Sequence, residues 1–148
     1  MNHSEKAAEL FLEGYNCAQA VAVAFCDVTG LDEKTTAKMV SAYGGGMGGL
    51  REVCGAVSGM FFVLGNLYGY DDPKNDAGKK QLYAQIQALA EQFKQEHTTI
   101  ICRDLLGNLA KNPTPSPRTP EYYAKRPCVR FVMTAAQLLD EFIEQNPL

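Results

Sequence analysis

Five cysteines, Cys17, Cys26, Cys54, Cys102 and Cys128, are the residues of this 148-residue chain best equipped for chemistry. A thiolate is both a metal ligand and a redox nucleophile. The odd count and the wide spacing argue against a simple disulfide framework, and no CxxC pair of the thioredoxin or zinc-ribbon kind occurs. Four of the five share a local setting. Cys17 follows Asn16, a helix-capping residue, and Cys54 follows a glycine-rich run. Cys102 opens the polar-apolar stretch CRDLL, and Cys128 follows Pro127. Each position reads as the start of a helix, where unpaired N–H groups and the helix dipole favour an anion and lower a thiol pKa. If these starts converge, several thiolates share one pocket. Cys26 falls near the far end of the helix that Cys17 opens, where the dipole disfavours a thiolate, so it reads as a small core residue.

The elements that must position these thiols are helical, because apolar residues recur mostly at helical spacing. A first helix is expected from about Ser4 to Glu13, stopped by Gly14. Asn16 and Gln19 form a capping-box pattern for a second, Cys17 to Val28, rich in Ala and Val. Asp32 caps a third that reaches Tyr43 and is broken by the run Gly44-Gly45-Gly46-Met47-Gly48-Gly49. A fourth is expected from Arg51 to Tyr68. The polar turn DDPKND leads to the clearest one, Ala77 to His97, with Leu82, Ile86, Leu89 and Phe93 on one face. KNPTPSPRTP, with four prolines in ten residues, reads as a surface loop without regular helix. A last helix spans Cys128 to Gln145, although Val129, Phe131 and Met133 also fit a short strand. The expectation is an all-α, single-domain bundle of about six helices over residues 1–148, with a Gly-rich and a Pro-rich loop.

The glycines invite a second reading. Gly44, Gly46 and Gly49 satisfy GxGxxG, but that dinucleotide fingerprint needs a preceding strand, and the preceding residues read as helix. The better reading is close backbone approach, with N–H groups of Gly44, Gly45, Gly46, Gly48 and Gly49 available to sulfur charge near Cys54. Gly55 and Gly59, one turn apart, suit tight packing against a neighbouring helix. His3, in a terminus expected to fray, and His97, at a helix end, read as structural or solvated.

Bulk properties bound the function. Hydrophobic residues make up 46% and charged residues 21%, the balance of a folded chain rather than a disordered one. A net charge of −3 and the lack of a Lys/Arg run exclude a strong electrostatic hold on nucleic acid. Residues 53–70 carry no formal charge, but their glycines and polar residues suit a buried core helix better than a membrane span. The opening MNHSEKAAELFLEG lacks the basic-then-apolar pattern of a secretory signal. A reducing cytoplasm is the expected compartment, where structural disulfides do not persist.

Five ordered motifs carry a resemblance: GYNCAQAV, GGGMGG, CGAVSG, CRDLLG and the late Cys128. Together they resemble the C_GCAxxG_C_C family of redox-active proteins over nearly the whole chain. The chain departs in lettering, reading CGAVSG where the family label has GCAxxG. The family's four hallmark cysteines fall on Cys17, Cys54, Cys102 and Cys128, and Cys26 lies outside the pattern. The resemblance implies a redox role and leaves the chemistry open. The leading expectation is that the four cysteines converge as ligands of an iron–sulfur cluster, or of another metal such as zinc. Without a metal they would act as redox thiols, with Cys54 or Cys17 the expected nucleophile. A third possibility, of another class, is a helical interaction module whose cysteines are core. The sequence leaves open the redox partner and whether the chain forms a homo-oligomer.

Overall fold

The computed structural model describes residues 2–111 and 113–148. Of its nine α-helical segments among these residues, five begin at a side-chain cap. Asn2 accepts a hydrogen bond from Glu5 N–H (2.8 Å) and opens α1, His3–Leu12. Asn16 and Gln19 close both arms of a capping box (2.9 and 3.0 Å) and open α2, Cys17–Ala24. The helix stops at Phe25, and a separate short helix α3, Cys26–Thr29, follows and ends on Gly30. Asp32 caps α4, Glu33–Val40. Beyond the glycine run come α5, Gly55–Tyr68, and α6, Asp76–His97, the latter capped by Asn75. The remainder is α7, Cys102–Leu106, α8, Pro120–Lys125, and α9, Cys128–Gln145.

The all-α expectation holds, but six helices are too few. The second helix divides at Phe25. Thr119 accepts from Tyr122 N–H (3.2 Å) and, with Pro120 in the first helical position, starts α8 where only loop was expected. Proline forbids helix interiors and suits helix starts, and only the last of the four prolines is placed to use that difference. The strand alternative at Val129 fails, because α9 is helical from Cys128 onward.

Helix α2 is the centre. Ala18, Ala20, Val21, Ala22, Val23 and Ala24 are all buried, so it meets neighbours on every side. Its small side chains let backbones approach: a Cβ added at Gly59 of α5 would stand 2.7 Å from the Ala18 carbonyl oxygen. One at Gly55 would stand 3.1 Å from Cys17 Cβ. Helices α1 and α9 pack on each other and on α2, and α6 covers α5 and α9 through Leu89 and Phe93. His3 does not fray. It stacks on Phe25 (4.1 Å between centroids) and reaches Asp140 (2.6 Å) and Asp27 (2.9 Å), tying the start of α1 to α3 and α9. Among the described residues no helix is long and apolar enough to cross a membrane.

Candidate functional site

Helix α5 was expected to start at Arg51, but it starts at Gly55: Arg51 is left-handed (φ +61°), and Val53 pairs antiparallel with Ile101. Cys54 N–H donates to Ile100 (2.7 Å), Cys102 N–H to Glu52 (2.6 Å) and Arg103 N–H to Arg51 (3.1 Å), around a single bridge between Val53 and Ile101. The paired segments end at the first residues of two helices. Cys54 is the residue that caps α5, and Cys102 is the first residue of α7. The glycine run makes room for this ladder. Gly45 and Gly46 both adopt the left-handed conformation (φ +67°), and Gly46 is buried against Cys102 and the Arg51 backbone. Cys17 enters as the first residue of α2 and Cys128 as the first of α9.

Four helix starts thus meet at one cavity of about 50 Å³, lined by Cys17, Cys54, Cys102 and Cys128. That is room for a water or two beside the sulfurs. All four are free thiols. Cys26 lies elsewhere, half-buried, with its thiol on Thr36 Oγ1 (3.4 Å). It opens α3 rather than closing α2, because the chain breaks at Phe25.

The electrostatics separate the four. Cys17 and Cys128 line the same cavity and perturb each other, the interaction pushing the Cys17 pKa up and the Cys128 pKa down. Arg126, Arg118 and Arg51 also lower Cys128, whereas Arg118 is the guanidinium acting on Cys17. Of the two, Cys128 is the more acidic thiol. Cys54 is pushed up to about 12 by burial, which outweighs hydrogen bonds from the backbone N–H groups of Ala56 and Val57. Burial also raises Cys102, against a hydrogen bond from Arg51 Nη1 to its sulfur (3.8 Å). A helix start alone does not lower a thiol pKa here, since burial outweighs it at Cys54 and Cys102.

The arginines are the residues that the sequence reading missed. Arg51 is buried at the foot of the ladder. Arg118 donates to the Phe11 and Tyr15 carbonyls (3.5 and 3.1 Å), and Arg126 donates to the Leu109 carbonyl (3.2 Å). Their guanidinium carbons lie 4.8 and 5.1 Å from the Tyr122 ring centroid, so α8 holds both in place. The available signal was positional: Arg126 stands two residues before Cys128 and Arg51 three before Cys54. Arg118 gave none, being in a segment that read as surface loop. Both histidines are outside this cavity. His97 lies within hydrogen-bond distance of Thr134 Oγ1 (2.9 Å), and burial lowers its pKa.

An outer cleft of about 490 Å³ continues from the cavity and shares Asn16, Gly45, Arg51, Arg118, Tyr122 and Arg126 with it. Gly44, Gly48 and Gly49 line its wall. The donor set suits a thiolate-bound metal in kind. Its spacing does not, for among the described residues no three His, Cys, Asp or Glu side chains stand where they could hold one ion. The four-ligand centre expected from the sequence is not formed in this arrangement.

The family model described as "Putative redox-active protein (C_GCAxxG_C_C)" matches residues 15–142, which include all four cavity cysteines and the three arginines. No curated protein and no solved structure matches the chain.

Proposed function

The chain belongs to the C_GCAxxG_C_C family, and from that premise we propose that it is a thiol–disulfide redox protein whose working pair is Cys128 and Cys17. The observation that supports this reading is that both thiols line one cavity with Arg51, Arg118 and Arg126, and that all three guanidiniums act on the Cys128 sulfur. A thiolate attacks disulfides, and its neighbour must already be in reach to finish the exchange.

The Cys128 thiolate attacks one sulfur of a substrate disulfide. The new Cys128–substrate bond forms as the substrate's own S–S bond breaks, and the first thiolate leaves. Cys17 then loses its proton to that leaving thiolate and attacks the Cys128 sulfur. The mixed disulfide breaks, the second substrate thiolate leaves, and a Cys17–Cys128 disulfide remains. Two electrons have passed from the protein to the substrate, and the reverse sequence oxidises a dithiol. Burial raises the pKa of Cys54 and Cys102, which disfavours them as competing nucleophiles.

Reduced protein treated with a small neutral disulfide should lose two thiols and yield a Cys17–Cys128 linked peptide by mass spectrometry. Cys17→Ser should stop at a mixed disulfide on Cys128. A link between other cysteines, or full reactivity in Cys128→Ser, would overturn the assignment. The iron–sulfur and zinc readings use the same four thiols drawn closer together. Iron or zinc bound one site per chain after anaerobic purification, and lost in Cys54→Ser, would favour them over the disulfide reading.

A further inference from the structure

The pair needs a substrate, and the cleft above it has a marked charge. Three guanidiniums, of Arg51, Arg118 and Arg126, border it, while no Asp or Glu among the described residues lines either the cavity or the cleft. The ion pairs of this region lie elsewhere: Arg103 takes Glu52 (2.9 Å), on the outer side of the ladder. With no carboxylate on the lining, Arg118 and Arg126 give this concave site a positive bias. Arg118 and Arg126 are also held ready. Their bonds to backbone carbonyls fix the heads and engage only part of each five-donor fork. Planar forks held in this way suit carboxylates. A volume of about 490 Å³ is that of a small-molecule pocket.

We infer that the cleft admits a small disulfide bearing carboxylate groups, its anionic arms on Arg118 and Arg126 and its S–S bond directed at Cys128. The inference rests on the thiol–disulfide reading and specifies its substrate class. The electron and proton balance is that of the exchange above, with the carboxylates unchanged throughout.

The test is a charge series of three symmetrical disulfides: dithiodipropionate, a dianion; hydroxyethyl disulfide, neutral; and cystamine, a dication. The rate of Cys17–Cys128 bond formation with each is divided by its rate with a neutral small thiol, which removes differences in intrinsic reactivity. At low salt the dianion should exceed the neutral compound by about tenfold, cystamine should fall below it, and added salt should compress the series. Changing Arg118→Gln and Arg126→Gln together slows every reagent by removing charge beside Cys128. The diagnostic is therefore the dianion-to-neutral ratio, which should fall toward one. Arg130→Gln, an equal loss of charge on α9 outside the cleft, should keep the ratio. A wild-type ratio at or below one overturns the substrate inference and leaves the redox pair intact, whatever the variants do. A ratio unchanged in a folded double variant overturns it as well. Failure of all three disulfides to form the Cys17–Cys128 bond overturns the redox reading itself, a different and recognisable result.

Discussion

Replacing Gly46 by alanine puts the geometry of the site under direct test. At φ +67° an alanine is strained by about 1–2 kcal/mol whatever surrounds it. Here the added Cβ would also stand 2.6 Å from Cys102 Cβ and 2.8 Å from Arg51 Cα. Neither atom is the loose end of a side chain, so backbone must move, at a further cost of about 1–3 kcal/mol. The neighbouring glycine is an internal control. Gly45 has the same φ of +67°, but its Cβ would meet only Arg51 Nη1, at an ordinary 3.6 Å. Gly45→Ala should therefore show the conformational strain alone, and Gly46→Ala the strain plus the overlap, a difference of about 2 kcal/mol. In urea, with a slope of about 2 kcal/mol/M for a chain of this size, the two midpoints should separate by about 1 M. Coincident midpoints, or a lower midpoint for Gly45→Ala, would refute the claim that Gly46 is required by packing against Cys102.

Other expectations follow from the same site. With limiting iodoacetamide near neutral pH, peptide mapping should find Cys128 labelled before Cys17 and Cys54, and labelling of Cys128 should rise at a lower pH than for a free cysteine; the reverse order would contradict the charge assignment. Because Cys54 ionises at about 12 when folded and nearer 8.5 when unfolded, its contribution is full below the unfolded value and is lost as pH rises toward 12. The unfolding free energy from urea titration should thus fall above about pH 9, by up to about 5 kcal/mol from Cys54 alone, and Cys54→Ala should flatten the descent without abolishing it, since Cys17 and Cys102 shift the same way. Asn16→Ala removes both the capping box and a bond to the Ser41 carbonyl (3.1 Å), so it should cost about 1–2 kcal/mol and slow Cys128 labelling by loosening Cys17. Cys26→Ala should cost about 1 kcal/mol and leave that labelling rate unchanged, checked on the same preparation.

The parts of this fold that depend on neighbours in sequence could be read from it. The capping boxes, the α6 apolar stripe and the glycine break are local, and so were the four cysteines at helix starts. What escaped depends on distant partners. The 51–54 and 100–103 pairing is a single bridge, too short for any alternation to announce a strand. Phe25 interrupts α2 although nothing in AVAVAFCDV signals a stop; its ring is buried and stacked on His3, a contact made through α1. The ranking of the thiols was the largest miss. Helix-start position is visible in sequence, but which sulfur loses its proton is decided by burial and by Arg51, Arg118 and Arg126, which come from three separated stretches.

About 110 residues of chain lie between Cys17 and Cys128, and the two still line one cavity. Bringing such distant points together costs an open polymer an entropy worth about 4–5 kcal/mol at room temperature, and folding meets that cost before any bond is made. By linkage, a bond formed across the pair would stabilise the fold and be held closed by the fold to the same extent. Expressed as a potential, the native pair would be about 100 mV more reducing than the same two cysteines in the unfolded chain. Unfolding and oxidation therefore oppose each other in this molecule, and the reducing strength of the pair becomes a reading of how completely the helices between them have assembled.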